Sequence, residues 1–112
     1  MKSETKNGVL VISLEGNLLG EHVNAPVMEL IKGSIEAGNK KVLFNLSEMK
    51  FINSTGLGML LTAVSKTRNA GGELALCNVP EQMKKLLQIT KLDSVFNQQP
   101  DEAAALGFLN KN

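Results

Sequence analysis

Four consecutive residues, Asn53-Ser54-Thr55-Gly56, carry the most chemical content in this sequence. They directly precede a segment with apolar residues at helical spacing (Leu57, Leu60, Leu61 and Val64), so they predict the start of a helix. The unpaired N–H groups and the dipole of a helix start both stabilise a nearby phosphate. Two interpretations follow. Either Ser54 or Thr55 simply caps the helix, or the hydroxyls form a regulatory site that Gly56 and Gly58 leave open to a partner.

Other residues offer little catalytic or metal-binding chemistry. The one histidine, His22, stands at the start of a predicted helix, where we expect a surface residue. The one cysteine, Cys77, cannot form an internal disulfide, and with His22 it does not make a zinc site. We expect Cys77 to be an unreactive thiol inside a strand. The sequence therefore predicts no catalytic residue, no metal and no cofactor.

A nucleotide-binding loop is also poorly supported. Gly56-Leu57-Gly58 resembles the beginning of a dinucleotide fingerprint, but Leu61 occupies the place of its third glycine or alanine. The lysine of a phosphate-binding P-loop is missing as well.

Length and composition predict one globular domain over residues 1–112, with 43% apolar and 21% charged residues. A net charge of +1 and only 4% aromatic residues argue against binding to nucleic acid or directly to a membrane. Residues 1–6 lack the apolar run of a signal peptide, and no stretch approaches 18 apolar residues. We therefore expect a soluble, cytoplasmic protein.

Strands and helices alternate along the first half of the chain. Residues 8–16 read as a strand, and Asn7-Gly8 predicts a hairpin turn to an edge strand over residues 2–7. A loop at 16–20 follows, and its two leucines, Leu18 and Leu19, are expected to lie against the body of the protein. A helix over 22–37 comes next, with Pro26 in its first turn. Residues 41–46 predict a buried strand, and residues 47–52 connect it to the helix that begins near Thr55.

The second half continues the alternation. Residues 73–77 predict a strand, and Pro80 is expected at the first position of a third helix. Apolar residues at 92, 95 and 96 suggest a last strand, and a terminal helix begins at Pro100. The pattern is typical of an α/β layer fold with a mostly parallel sheet.

The order and spacing of several segments resemble one known family. The strand Val-Leu-Phe-Asn-Leu-Ser at 42–47, followed by Asn-Ser-Thr-Gly-Leu-Gly at 53–58, resembles the central motif of STAS domains. In that family a hydrophobic strand typically ends in Asp-Leu-Ser, and Asp-Ser-Ser/Thr-Gly-Leu-Gly opens a long helix. The turn at 69–74 and the segment at 79–92 are also similar to the family. The resemblance is strongest to stand-alone bacterial anti-sigma factor antagonists.

This resemblance implies a STAS-type mixed sheet of four to five strands packed with about four helices. It also implies a non-enzymatic regulator of transcription that acts by partner switching. The unphosphorylated antagonist binds an anti-sigma factor, which is also a serine kinase, and so frees a sigma factor. A phosphatase of the PP2C type restores binding after phosphorylation. We expect a monomer or weak dimer.

The family's functional positions can be carried over by position. The phosphate acceptor would be Ser54, with Thr55 as its neighbour. The partner-binding residues would be Asn53, Ser54, Thr55, Gly56, Leu57 and Gly58.

Three departures from the family motif bear on this expectation. Asn45 and Asn53 stand where aspartate is usual, and Gly16-Asn17-Leu18-Leu19 replaces the common Gly-Glu-Leu-Asp. The two amides are expected to remove negative charge beside the acceptor, with an effect on phosphorylation of either sign. An alternative is therefore a STAS adaptor subunit of a transport or signalling complex that phosphorylation does not switch.

Overall fold

A computed structural model describes residues 1–19 and 21–111, with the backbone alone at residues 21 and 22. The surface position expected for the His22 side chain thus falls outside the described part. The strands are β1 (Lys2–Lys6), β2 (Val9–Ser13), β3 (Gly16–Leu18), β4 (Lys41–Asn45), β5 (Met49–Ile52), β6 (Glu73–Cys77) and β7 (Asn97–Gln99). The helices are α1 (Glu21–Glu36), α2 (Ser54–Asn69), α3 (Glu81–Ile89) and α4 (Glu102–Leu109).

Five strands form one mixed sheet in the order β1-β2-β4-β6-β7. β1 runs antiparallel to β2, and the remaining neighbours are parallel. Asn7 and Gly8 have φ values of 51° and 75°, as the tight turn of a right-twisted hairpin requires. The expected α/β class, the mixed sheet of four to five strands and the four helices are confirmed.

The alternation of side chains along the strands creates two apolar layers. On one face, residues such as Ile12, Phe44 and Leu76 pack with α1, α2 and α3. On the other face, the smaller cluster around Leu43 and Cys77 packs under α4. Cys77 is fully buried, as predicted.

A small two-stranded ribbon was not predicted. The sequence indicated a loop at 16–20 and a connection at 47–52, but Gly16–Leu18 pairs in parallel with Met49–Ile52. Neither segment has strong strand character alone, and each supplies the hydrogen bonds that the other needs. Of the two leucines, Leu18 is 1% exposed and Leu19 is 41% exposed, so only Leu18 lies against the body. Gly20 lies outside the described residues.

Three other local predictions were wrong in position. Pro26 lies inside α1, beyond the first turn, because the helix already begins at Glu21. Pro80 is the N-cap of α3 rather than its first residue, with an extended backbone at φ −63° and ψ 151°. The last strand comprises the polar residues Asn97–Gln99, since α3 ends in a turn and Phe96 packs into the core instead.

Candidate functional site at the start of α2

Asn53 caps α2 and sets where the helix begins. Its backbone is extended, with φ −107° and ψ −177°, because it directly follows β5. The Gly56 N–H donates a hydrogen bond of 2.8 Å to Asn53 Oδ1. The helix therefore begins at Ser54, and the expectations of a start near Thr55 and of capping by Ser54 or Thr55 were wrong.

Ser54 and Thr55 occupy the first turn and are exposed. Since Asn53 satisfies the N–H that a capping hydroxyl would have served, neither hydroxyl is needed as the N-cap. The first turn contains no acidic residue. A phosphate on Ser54 would thus meet helix N–H groups and no carboxylate of that turn.

Gly56 and Leu57 support the site from within. A Cβ atom on Gly56 would overlap the carbonyl oxygen of Leu18 and lie 3.1 Å from Ile52 Cγ1. The close approach that Gly56 allows is therefore to β3 of the same chain. Leu57 is 6% exposed and belongs to the core. Gly58 is partly exposed with open space where a Cβ would lie, so it remains accessible to a partner.

Asn45 lies in a different environment from Asn53. Its Oδ1 accepts hydrogen bonds from the Ser47 N–H at 3.0 Å and from Asn78 Nδ2 at 3.3 Å. Its Nδ2 donates to Glu102 Oε1 at 3.4 Å, which ties the end of β4 to α4. The layer of α4 is on the opposite face of the sheet from α2. The expectation that both amides lie beside the acceptor holds only for Asn53.

The acidic partner of Asn45 is itself ion-paired. Lys6 Nζ lies 2.8 Å from Glu102 Oε2, and this contact lowers the pKa of Glu102 and raises the pKa of Lys6. Burial, then the charges of Glu102 and Asp101, raises the pKa of Cys77 to about 11. The thiol is protonated at neutral pH, which agrees with the predicted unreactive role.

Metal and membrane features were searched over the same part of the chain. Within residues 1–19 and 21–111, no three or more His, Cys, Asp or Glu residues are grouped so that they could hold a metal ion. None of the helices described is both long and apolar enough to span a membrane.

The comparison with protein families decides the identity of the fold. The model of the STAS domain matches residues 1–105. This chain belongs to the STAS domain family.

Named relatives of this STAS domain cover most of its length. BtrV of Bordetella bronchiseptica, provisionally named an anti-sigma factor antagonist, is 28% identical over 104 residues, which are 91% of this chain and 88% of BtrV. The anti-sigma F factor antagonist of Paenibacillus polymyxa is 27% identical over 107 residues, 95% of this chain and 91% of that protein. The Bacillus cell fate determinant SpoIIAA, solved in its phosphorylated form, is similar with a TM-score of 0.71 at 24% identity, covering 92% of this chain and 94% of SpoIIAA.

Two exposed apolar residues beside the STAS motif were missed by the sequence analysis. Phe51 is 52% exposed and Leu19 is 41% exposed, and both belong to the ribbon that leads into α2. The signal was present, because Phe51 and Leu19 alternate with Ile52 and Leu18. It could be read only after the two short segments were known to pair.

Proposed function

We propose that this STAS domain is an anti-sigma factor antagonist that binds a kinase-type anti-sigma factor through the start of α2 and thereby frees a sigma factor. The two relatives named above carry that description over nearly their whole length. The observation that carries the proposal is the exposed Ser54 at the first position of α2, held in place by the Asn53 cap.

We further propose that phosphorylation of Ser54 breaks the complex. A phosphate adds a charge of about −1.5 to −2 at neutral pH. The isolated protein tolerates this charge, because Ser54 is exposed and the helix dipole favours an anion there. In an interface the same charge would be desolvated, and an unpaired buried charge typically costs about 3–5 kcal/mol. Phosphorylation would thus act on the complex and not on the fold.

The remaining parts of the proposal follow from this switch. The anti-sigma factor itself is the serine kinase, and a PP2C-type phosphatase resets the antagonist. The chain acts as a binding protein in the cytoplasm, without catalysis or a cofactor, as one domain over residues 1–112. Asn53, Ser54, Thr55 and Gly58 offer the accessible part of the surface, and Gly56 and Leu57 fix its shape.

The test begins with the partner. Co-purification from the native cell, followed by mass spectrometry, identifies the bound anti-sigma factor, which is then purified. Calorimetry compares its affinity for the native chain, Ser54→Ala and Ser54→Asp. Ser65→Asp is the matched control, since Ser65 is exposed on the same helix and about 16 Å further along its axis.

We expect Ser54→Asp to weaken binding by about 100-fold or more. Ser54→Ala and Ser65→Asp should bind like the native chain. Equal affinities for all variants would contradict the switch. If the native chain takes no phosphate from the purified kinase and ATP, it is better described as an adaptor that phosphorylation does not control.

A further inference from the structure

Two of the large apolar side chains that the structure exposes are neighbours beside the phosphate acceptor. Within the described residues, the exposed large apolar side chains are Met1, Leu19, Phe51 and Ile89. Single exposed apolar residues are common on protein surfaces and need no explanation. Leu19 and Phe51 differ because they share one small ribbon, which continues directly into Ser54.

Strand pairing places both side chains on the outer face of the ribbon. Asn17 pairs with Phe51, and Leu18 pairs with Ile52. Leu18 and Ile52 pack into the core, so the alternating residues Asn17, Leu19 and Phe51 face outwards. Leu19 is two residues beyond Asn17, about 7 Å along the strand, which brings it within reach of the Phe51 ring. We call Leu19 and Phe51 together the apolar ribbon face.

Backbone contacts hold the apolar ribbon face rigidly beside the acceptor. The Asn53 N–H donates to the Leu18 carbonyl at 3.3 Å. The α-carbon of Gly56 packs against that same carbonyl. The residue before Leu19 therefore touches both the cap and the first turn of α2.

The exposed surface that joins the two features carries no charge in the described residues. Asn17 lies beside Phe51, and Asn53, Ser54 and Thr55 follow. The nearby Lys50 alternates with Phe51 and belongs to the other side of the strand. Both acidic positions of the family's common Gly-Glu-Leu-Asp loop are uncharged here, as Asn17 and Leu19.

We propose that the apolar ribbon face and the start of α2 form one docking surface, and that the anti-sigma factor covers it with an apolar, uncharged patch. This inference rests on the proposed function and names the chemistry of its partner. A second copy of this chain is a weaker occupant, since two side chains are far from the roughly 800 Å² per partner that a stable dimer buries. The surface also explains the switch: a phosphate on Ser54 would retain water at the edge of an apolar contact.

The experiment compares two exposed apolar residues of the chain. Phe51→Ala removes the main apolar side chain of the docking surface. Ile89→Ala is the control, because Ile89 is 79% exposed at the last residue of α3, which runs back from the carboxyl end of β6. Calorimetry with the purified anti-sigma factor is performed at 50 and 500 mM salt, and the free proteins are examined by sedimentation. Melting curves establish that both variants remain folded.

We expect Phe51→Ala to weaken binding about 10- to 100-fold and Leu19→Ala to weaken it less. Ile89→Ala should have no effect, and the native affinity should change less than about threefold with salt. Unchanged binding by Phe51→Ala, while Ser54→Asp still loses binding, would overturn this inference alone. A steep loss of affinity with salt would indicate a charged partner surface and would also overturn it. Self-association that Phe51→Ala abolishes would assign the face to a second copy. If no anti-sigma factor binds the native chain, the proposed function fails and this inference fails with it.

Discussion

Gly56 packs its α-carbon against the carbonyl of Leu18, leaving no room for a side chain at position 56. The contact fixes the first turn of α2 on the ribbon, and Asn53 binds the same carbonyl from the preceding residue. The position of Ser54 is thus set by the backbone of β3, a segment 36 residues earlier in the chain.

Gly56→Ala should destabilise the fold by about 1–3 kcal/mol, because the new methyl group overlaps backbone that cannot rotate away. Gly58→Ala is the matched control in the same helix. Nothing lies within 4 Å of its Cβ position, and alanine favours a helix over glycine by about 0.5–1 kcal/mol. Denaturant unfolding should therefore shift in opposite directions for the two variants. Equal stabilities would show that β3 can move aside.

Asn53→Asp should keep the helix cap, since a carboxylate oxygen can accept the Gly56 N–H as Asn53 Oδ1 does. Asn53→Ala loses that bond and should cost about 0.5–2 kcal/mol in thermal or denaturant unfolding. A Asn53→Ala variant as stable as the native chain would contradict the assignment of the cap.

The same substitution should affect the phosphorylated form. At an effective dielectric constant of about 20, two unit charges about 5 Å apart repel by roughly 3 kcal/mol before screening by salt. Phospho-Ser54 should therefore be less favourable beside Asp than beside the native Asn53. Phosphorylation rates and the stability of the phosphorylated form, measured with the cognate kinase for both chains, test this. A more stable phosphorylated form of Asn53→Asp would show that electrostatic repulsion does not dominate.

Asn45→Asp should weaken the attachment of α4. The native Nδ2 donates to Glu102 Oε1, whereas a carboxylate at position 45 would place two negative oxygens about 3.4 Å apart. We expect a lower melting temperature at neutral pH. The second substitution Glu102→Gln restores a donor and removes one charge, so the double variant should recover part of the loss. Additive losses would contradict a direct Asn45–Glu102 interaction.

Glu102→Gln alone should reduce stability at neutral pH and have little effect in acid. The bond from Lys6 lowers the pKa of Glu102 below its ordinary value of 4.5. Such a group stabilises the fold above its unfolded pKa, and this contribution disappears as the pH falls through the folded value. Melting curves of the native and variant chains should therefore differ at pH 7 and converge below about pH 3. A constant difference at all pH values would assign the effect to packing instead.

Much of the framework was predictable from local sequence. Asn7-Gly8 specified the hairpin because both residues accept positive φ. The apolar run of β4 indicated a buried parallel strand, and the residues at 53–56 located the start of α2 to within one residue. These features rest on backbone preferences and on apolar periodicity, which are properties of neighbouring residues.

The tertiary structure decided the details of the candidate site. β3 and β5 exist because Gly16–Leu18 and Met49–Ile52 bind each other, and neither segment predicts a strand by itself. Only this pairing buries Leu18, exposes Leu19 and Phe51, and brings Gly56 against β3. The same distinction separates the two asparagines of the motif. The sequence placed both near the acceptor, but alternation along β4 directs Asn45 to the α4 face, while Asn53 remains at the helix start. Contacts between residues far apart in the chain determine these outcomes, and local pattern does not encode them.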